Sequence, residues 1–378
     1  MKLVYCIAGT YRPAGMERVL ADKANWFAAK GNEVTIVTTD QRGQANAFLL
    51  DPGIKQIDLG INYEENNGGS LIDKIVRYPF KQYRHKKKLK ALLYSLRPDI
   101  TISMFCNEAG FLPRINDGSA KVAEIHFSRF KRLQYGRKGL WGAIDRLRSG
   151  WDEIFARRYD RFVVLTEEDK GYWGNMPNIM VIPNAISDYP DKPSDLMSRC
   201  VISVGRYSYQ KGLERLIEAW NLIAASFPDW KLKLIGDGEK LSELQNLISH
   251  LGLSGSVHLT GNIKDMDNVY HNASILALTS RYEGLPMVLL ESKAFGIPAV
   301  SFDCKCGPRD VIEDGKDGIL VPEGNILEFA NSLAKLMRDN SLLEEMGRNA
   351  FSSAKKWDFN IIMPQWQELF ENILSSRR

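Results

Sequence analysis

Two glutamates, Glu283 and Glu291, lie in the segment "SRYEGLPMVLLESKAFGIPAV" with seven residues between them. Proline suits the first position of a helix, because its missing N–H would have had no intrahelical partner there. We therefore expect a helix that begins at Pro286 and carries Glu291 in its early turns, while Gly284 lets backbone approach a ligand. Carboxylates accept hydrogen bonds, and sugar hydroxyls are matching donors. The two glutamates could hold a ribose and a hexose, or they could be ordinary capping and surface residues.

Two cations, Arg206 and Lys211, lie in "RYSYQKG" between an apolar run and the helical pattern "LERLIEAWNLIAASF". The free N–H groups and positive dipole end of a helix N-terminus favour an anion. Two added cations suit a diphosphate, although two solvated surface charges are the alternative. Gly205 and Gly236 end the preceding apolar runs and mark turns into helices.

Two acidic residues, Asp265 and Asp267, form a D-x-D that could hold a divalent metal with a nucleotide. The favoured interpretation is that they cap a short helix ending near His271, since acidic residues favour the first turn of a helix. Cys304 and Cys306 form a lone C-x-C with no second cysteine pair for zinc. We expect no bound metal and no cofactor.

Strands and helices alternate along the chain. Near-continuous apolar runs separated by helical spacing predict parallel sheets covered on both faces, hence two doubly wound α/β domains. The first helix is expected over 15–30, with Gly31 at its C-terminus. A polar, three-proline segment, "VIPNAISDYPDKPSDLMSR", should join the domains. The predicted strands are "LVYCIA", "VTIVTT", "DITISMF", "VAEIHF" and "RFVVLT", then "CVISVG", "KLKLIG", "VHLTG", "SILALTS" and "PAVSFD".

Bulk composition is that of an ordinary globular enzyme, with 378 residues, 44% hydrophobic and 25% charged. The length exceeds one comfortable core, and a net charge of +4 is too small to indicate nucleic-acid binding. Five cysteines, an odd number in mostly apolar runs, indicate reduced thiols in a cytosol. We expect neither a signal peptide nor a membrane span, which needs about 18 apolar residues or more.

Five segments resemble the retaining glycosyltransferases of family 4, and the two glutamates fit that family's E-x7-E motif. The resemblance is dense over 201–325 and sparser before it. It implies the α/β GT-B fold: two Rossmann-like doubly wound domains facing a cleft, with a C-terminal helix crossing back to the first. The domains would be an acceptor-binding 1–185, a nucleotide-sugar-binding 186–355 and a returning helix, 356–378. The segments are "GRYSYQKG", "LIGDGE", "LTGNIKD", "SRYEGLPMVLLESKAFGIPAVSFD" and "GPRDVIEDGKDGILVPEGN".

The resemblance also assigns roles to side chains. Arg206 and Lys211 would neutralise the donor's diphosphate, Glu291 would bind its ribose, and Glu283 would reach its sugar. Backbone would contact sugar and phosphate along the turn after Glu283, and the base in the loop after "VHLTG". The donor-binding residues besides Glu291 are then Gly15, Gly205, Gly236, Asn262, Ile263, Gly284, Leu285, Pro286 and Met287.

The first half fits the family with departures. Its first loop, "AGTYRPAGMERVL", lacks the Gly-Gly pair that the family often has, though Gly15 can still let backbone approach the diphosphate. Gly9 and Gly15 do not form a G-x-G-x-x-G motif, so a dinucleotide site is not indicated. His126 follows a strand in "AEIHFSRF"; a lone histidine there is more often structural, but the resemblance favours a catalytic role near the donor sugar.

Together these features predict a metal-independent, retaining glycosyltransferase of the cytoplasm. It would move a hexosyl or N-acetylhexosaminyl group from a UDP-sugar to a glycan or lipid-linked acceptor in cell-surface polysaccharide or glycolipid biosynthesis. The resemblance implies front-face attack, with the leaving phosphate taking the acceptor's proton. Two alternatives stay open: a nucleotide-sugar epimerase of the same fold, and a catalytically silent sugar-nucleotide binding protein.

Two basic zones of the first domain suggest peripheral contact with an anionic membrane at its inner face. The first, "KQYRHKKKLK", spans 81–90 and should head a helix. In the second, a cationic run precedes apolar residues spaced by three and four; the alternative is that this apolar stripe packs on the sheet. The cations are Arg129, Lys131, Arg132, Arg137 and Lys138, and the apolar residues Trp141, Ile144, Leu147, Trp151, Ile154 and Phe155.

Overall fold

The computed structural model describes residues 1–66, 71–133, 139–187 and 189–377. It divides into two compact units. The first comprises Met1–Pro183 with Ile362–Arg378, and the second comprises Asn184–Ile361. Each unit contains one parallel β-sheet, as the alternation of apolar strands and helices predicts.

The first unit has seven strands in its described part, in the order β3-β2-β1-β4-β5-β6-β7. The order reverses between β1 and β4, which makes this sheet doubly wound. Its strands are β1 (Lys2–Ile7), β2 (Glu33–Thr38), β3 (Lys55–Asp58), β4 (Ile100–Ser103), β5 (Ala120–Glu124), β6 (Arg161–Val164) and β7 (Ile179–Val181), and its helices are α1 (Gly15–Ala29), α2 (Leu71–Leu96), α3 (Gly139–Ala156) and α4 (Glu167–Trp173).

The described residues of the second unit form six strands in the order β10-β9-β8-β11-β12-β13, which again reverses direction next to its first strand. Its strands are β8 (Cys200–Val204), β9 (Lys231–Ile235), β10 (Val257–Leu259), β11 (Ile275–Leu278), β12 (Ala299–Phe302) and β13 (Gly318–Val321). Its helices are α5 (Leu213–Ile223), α6 (Leu241–His250), α7 (Met266–His271), α8 (Met287–Ala294), α9 (Pro308–Val311), α10 (Ile326–Arg338) and α11 (Asn340–Ala354), and α12 (Phe359–Ser375) follows.

Every strand predicted from the sequence overlaps an observed one, and three further strands are present. All three lie at sheet edges: β3 and β7 flank the first sheet, and β13 ends the second. Edge strands are short and need not be apolar on both faces. The four residues of β3, "KQID", are mostly exposed, so their sequence carries no apolar run to detect.

One prediction about the helices is wrong: the segment "KQYRHKKKLK" does not head a helix. Helix α2 begins ten residues earlier, at Leu71, so this segment lies in its middle. Pro79 lies inside α2, although proline usually ends or kinks a helix. None of the helices in the described ranges is long and apolar enough to cross a bilayer.

The last helix, α12, returns to the first unit, as the resemblance implied. From Ile362 onwards its residues belong to that unit. Its buried face includes Trp366 and Phe370, and the Phe370 ring stacks on Phe27 of α1 at a centroid distance of 5.2 Å. Burial of these rings joins the C-terminus to the first helix of the chain.

We expect Phe370→Ala to destabilise the first unit by about 3–5 kcal/mol, because a fully buried aromatic side chain is replaced by a cavity. Urea unfolding followed by near-ultraviolet circular dichroism measures the loss. Glu371→Ala, an exposed change on the same helix, should stay within about 0.5 kcal/mol of the wild type. Equal stability of the two variants would show that α12 does not support this core.

Candidate functional site

The second sheet reverses its strand order between β8 and β11, and ligands of such sheets bind beyond the carboxyl ends of the strands at this point. The loops that follow these two strands are tied together. Thr279 donates its hydroxyl to the Gly212 carbonyl at 3.0 Å, and the Arg281 N–H donates to the Gln210 carbonyl at 2.8 Å. The Gln210 amide in turn donates to the Tyr282 carbonyl at 3.0 Å. The crevice therefore has walls held by hydrogen bonds.

Lys211 and Glu283 meet across this crevice in an ion pair, with Nζ and Oε1 2.7 Å apart. The Glu283 side chain is 7% exposed and that of Lys211 is 18% exposed. A buried carboxylate needs such a partner, since an unpaired buried charge is costly. Arg206 is exposed on the same loop as Lys211, and it has no ion-pair partner within the described ranges. The structure thus brings three of the predicted catalytic residues to one switch point.

Gly205 and Gly236 bring the β8 and β9 loops into close contact. Their φ angles are +150° and +138°, where side chains other than hydrogen are strained. A Cβ on Gly236 would lie 2.1 Å from the Gly205 carbonyl oxygen, and one on Gly205 would lie 2.9 Å from the Lys211 side chain. These glycines therefore let the backbone reach the floor of the crevice behind Lys211.

Gly307 supports the turn between the two glutamates, and the sequence analysis did not identify it. Its φ is +101°, and a Cβ there would lie 2.4 Å from Pro286 and 2.9 Å from the Gly284 carbonyl oxygen. The Gly-Pro dipeptide that follows β12 was the available signal for this turn. Gly284 and Met287 are half-buried, whereas Leu285 and Pro286 are buried.

The second glutamate is positioned by a tyrosine. Helix α8 begins at Met287, with Pro286 as its extended cap residue at ψ 102°, so the expected start at Pro286 is wrong by one residue. Glu291 Oε2 accepts a hydrogen bond of 2.5 Å from the Tyr270 hydroxyl. Tyr270 is buried on α7 and stacks on Phe295 at 5.1 Å. Because α7 precedes α8 by a whole strand, no sequence spacing indicated this contact.

The D-x-D after β10 caps a helix. Asp265 is the N-cap of α7 and its carboxylate accepts from the Asn268 N–H at 3.1 Å, which confirms the capping interpretation for this residue. Within the described residues no cluster of three or more His, Cys, Asp or Glu could hold a metal ion. Asn262 and Ile263 are exposed in the loop after β10, and their contact with a base stays a prediction.

In the first unit, His126 follows β5 by two residues and meets a buried acid. Its side chain is 5% exposed, and its Nε2 lies 3.8 Å from Glu124 Oε1. Both ring nitrogens and that carboxylate oxygen are buried without a hydrogen-bond partner in the described part of the chain. Gly15 is the exposed first residue of α1, whose cap residue Ala14 makes no side-chain hydrogen bond.

Glu124 is also paired with Lys23 of α1, and both side chains are almost fully buried. The Lys23 ammonium lies 3.6 Å from the centroid of the Trp366 ring, on α12. Burial raises the pKa of Glu124, but the Lys23 and His126 charges outweigh it and lower this pKa to about 2. A buried carboxylate anion therefore faces His126. Lys23 and Glu124 are 101 residues apart, and a lone lysine in an apolar helix carried no sequence signal for the pair.

Two family models match adjoining parts of this chain. The model described as Glycosyltransferase Family 4 matches residues 13–188, and the model described as Glycosyl transferases group 1 matches residues 188–353. The chain belongs to the glycosyltransferases. The residues of the β8–β11 crevice lie in the group 1 match, and Gly15 and His126 lie in the family 4 match.

Curated relatives of this glycosyltransferase act in bacterial polysaccharide, lipopolysaccharide and glycolipid biosynthesis. It is 35% identical to an exopolysaccharide phosphotransferase of Streptomyces coelicolor over 68% of this chain and 28% of the relative. It is 33% identical to the amylovoran biosynthesis glycosyltransferase AmsD of Erwinia amylovora over 56% and 62%. The chain thus spans less than two thirds of the length of either relative. An alpha-1,4-N-acetyl-D-galactosaminyltransferase of Campylobacter jejuni is 25% identical over 99% of both chains.

Solved structures with the same fold cover nearly the whole glycosyltransferase. Sucrose-phosphate synthase from Thermosynechococcus elongatus superimposes with a TM-score of 0.82 at 18% identity, over 99% of each chain. HepE of Anabaena, in complex with UDP, superimposes with a TM-score of 0.75 at 18% identity, over 98% of this chain and 100% of its own. The neighbours are GT-B glycosyltransferases, so the GT-B prediction is confirmed and the epimerase alternative is not favoured.

The lowered pKa of Glu124 predicts a pH-dependent stability. Its pKa falls from 4.5 to about 2 on folding, so the ionised carboxylate stabilises the fold above pH 4.5, and this stabilisation is lost as the pH falls towards about 2. Glu124→Gln should be less stable than the wild type at neutral pH, with a difference that shrinks across that window. Urea unfolding at a series of pH values measures it.

The matched control is Glu371→Gln, an exposed carboxylate whose removal should leave the pH profile parallel to that of the wild type. Lys23→Met should also destabilise the fold, by about 3–5 kcal/mol, because it leaves the Glu124 carboxylate as an uncompensated buried charge. A difference between wild type and Glu124→Gln that does not change with pH would contradict the assigned ionisation.

Proposed function

We propose that this chain is a retaining glycosyltransferase that uses a UDP-sugar and transfers a hexosyl or N-acetylhexosaminyl group to a glycan or lipid-linked acceptor. The observation that carries the proposal is the Lys211–Glu283 ion pair at the switch point of the second sheet, with Arg206 exposed on the same loop as Lys211. One acid and two cations at this position suit a ligand that has both hydroxyls and a diphosphate.

The cations would stabilise charge on the departing diphosphate. Such fixed charges in a partly desolvated crevice act on the transition state and need no reorganisation when the bond breaks. Lys211 is already paired with Glu283. When a diphosphate binds beside this pair, Lys211 gains a second anionic partner. Arg206 is exposed on the same loop. Among the described residues it has no ion-pair partner, so its charge is available to the diphosphate.

Both glutamates are engaged by side chains that favour hydroxyl binding over nucleophilic attack. Glu283 is paired with Lys211, and Glu291 accepts from Tyr270. Retaining hydrolases instead place two carboxyl groups about 5 Å apart across the bond, one as nucleophile. The arrangement supports front-face attack, in which the leaving phosphate takes the acceptor's proton and the protein holds the reactants in position.

The comparisons support the choice of substrates. HepE was solved with UDP, which supports a uridine nucleotide as donor. The Campylobacter relative is named for a saccharide on PP-undecaprenol, which supports a lipid-linked acceptor met at the inner face of a membrane. The chain has five cysteines, four of them buried, and this supports work in a reducing cytoplasm.

The cations of the crevice make a bound metal unnecessary for this reaction. Activity should therefore survive excess EDTA, measured as release of UDP from a panel of UDP-sugars with and without added saccharide acceptors. A metal-dependent glycosyltransferase assayed in the same EDTA buffer serves as the control. Loss of turnover that manganese or magnesium restores would assign a metal to the reaction and would contradict this mechanism.

Nucleotide binding tests the donor site directly. A thermal-shift screen should show stabilisation by UDP and by one or more UDP-sugars, since a ligand stabilises in proportion to its occupancy. Arg206→Ala and Lys211→Ala should each weaken this stabilisation by UDP. Each should also slow turnover by raising its activation free energy by about 3–4 kcal/mol, because each removes a charge that faces the diphosphate.

Lys316→Ala, an exposed lysine of the same unit, is the matched control and should leave both measurements unchanged. Near-wild-type turnover in Arg206→Ala and Lys211→Ala would mean that the donor lies elsewhere. A chain that binds UDP but neither transfers nor hydrolyses any donor sugar would be a sugar-nucleotide binding protein instead.

A further inference from the structure

Helix α3 turns three large apolar residues towards solvent. Leu147, Trp151 and Ile154 are 65%, 58% and 48% exposed, and their spacing of four and three residues places them on one face. The opposite face is buried, and it includes Asp145 at 4% and Ser149 at 5% exposure. The alternative that this apolar stripe packs on the sheet is therefore wrong for these three residues. We call Leu147, Trp151 and Ile154 the α3 stripe.

The inward face of α3 is polar because a buried arginine requires it. Arg129 donates to the Ser149 carbonyl at 2.8 Å and to its hydroxyl at 2.6 Å, and it pairs with Glu153 at 3.2 Å. Its guanidinium also lies 4.6 Å from the centroid of the Trp173 ring. These contacts fix the rotation of the helix about its axis, and they leave the α3 stripe outside.

Exposed cations flank the α3 stripe. Arg146 and Arg148 are exposed on either side of Leu147, and Arg158 is exposed beyond Ile154. Long arginine side chains can lie along an apolar surface and extend their charge to its rim. The stripe is therefore an apolar strip with a cationic border.

Several cations that the sequence analysis linked to a membrane make contacts within the protein instead. Arg129 is internal, and Arg132 makes a bidentate pair with Asp152 at 2.6 and 3.2 Å. The Lys131 ammonium lies 3.1 Å from the centroid of the Phe127 ring. Lys88 donates to the Leu59 carbonyl at 2.5 Å. Arg137 and Lys138 lie outside the described residues.

Helix α2 also has an exposed face that combines large apolar residues with cations. Phe80 and Tyr83 are 68% and 67% exposed, with exposed Arg84 and Lys87 on the same helical face. Burial raises the pKa of the Tyr78 phenol on α2, while Arg148 of α3 is close enough to act against it. Arg148 of α3 is therefore within electrostatic range of Tyr78 on α2.

We propose that the α3 stripe, with Arg146 and Arg148 and the adjoining Phe80, Tyr83, Arg84 and Lys87 of α2, docks the protein on the surface of an anionic lipid bilayer. The apolar side chains enter the headgroup region and the cations meet lipid phosphates, as interfacial helices do. Tryptophan and tyrosine suit this boundary, because each has an apolar body and a polar group.

Charge decides between a bilayer and a second copy of the chain. A two-fold interface places the same patch on both partners, so the arginines beside Leu147 would face their own copies. Anionic headgroups complement these charges. The inference rests on the proposed function only for its purpose, which is to bring the enzyme to a lipid-linked acceptor.

Co-sedimentation with vesicles tests the docking surface. The wild type should bind vesicles of phosphatidylcholine mixed with phosphatidylglycerol, and not those of phosphatidylcholine alone. Binding should weaken with salt, because exposed charges are screened over about 10 Å at 0.1 M. The triple change Leu147→Ser, Trp151→Ser and Ile154→Ser should lower the partition coefficient about a hundredfold, because three large apolar side chains no longer leave water.

A matched control removes three equally exposed leucines from elsewhere. Leu49, Leu222 and Leu327 are 92%, 55% and 61% exposed, and their replacement by serine should leave vesicle binding within about twofold of the wild type, since the α3 stripe is intact. Equal loss in both triple variants would assign binding to general surface hydrophobicity and overturn the proposal.

A charge series tests the cationic border. Replacing Arg84, Lys87, Arg146 and Arg148 by glutamine should lower binding to anionic vesicles by at least about tenfold, since each cation near such a surface is worth about fivefold. The matched control replaces four exposed cations elsewhere with glutamine and should bind like the wild type. These control residues are Lys55, Lys316, Lys335 and Arg348.

Two further outcomes overturn the proposal. One is a wild type that ignores anionic vesicles at low salt. The other is a dimer, measured by light scattering, that the α3 stripe variant converts to a monomer, which would make this surface an interface between copies. UDP stabilisation is measured on every variant and should not change, so a failed donor site and a failed docking surface give different results.

Discussion

The ion pair between Lys211 and Glu283 is the contact on which the arrangement of the crevice depends. Its partners are 72 residues apart and come from the loops after β8 and β11, where the second sheet reverses its order. The carboxylate is buried, so it must be neutralised whether or not a ligand is present. The same requirement keeps a cation at the floor of the crevice, where glycines at 205 and 236 allow the backbone to come close. Structure and chemistry thus depend on one pair of charges.

Buried charge has a comparable role in the first unit. The pair formed by Lys23 and Glu124 joins α1 to β5, and Trp366 of α12 covers its ammonium group. Such pairs add little net stability compared with apolar residues of the same size. The pair instead fixes how α1, β5 and α12 pack against one another. It also leaves an anion facing His126. The returning helix therefore affects the surroundings of a predicted catalytic residue that it does not itself carry.

Helix α3 shows how a correct pattern can leave an orientation undecided. The periodicity of its apolar residues indicates an amphipathic helix, and a helix is present. Periodicity identifies a face, but it does not say whether that face meets the sheet or the solvent. Here the internal Arg129 binds Ser149 and Glu153, and these contacts turn the polar side inwards. The predicted helix is therefore confirmed, and the alternative of packing on the sheet is wrong for Leu147, Trp151 and Ile154.

The sequence by itself determined the two doubly wound domains, the interior strands and the loops that carry the crevice, because each depends on local patterns. Apolar runs mark buried parallel strands, and glycine or proline beside a charge marks the loops at their ends. Tertiary structure alone decided the three edge strands β3, β7 and β13, the hydrogen bond from Tyr270 to Glu291 and the pairing of Lys23 with Glu124. It also decided which face of α3 is exposed. Each of these depends on groups that are distant in the chain, and the burial that makes their charges and hydrogen bonds matter exists only after the sheets have formed.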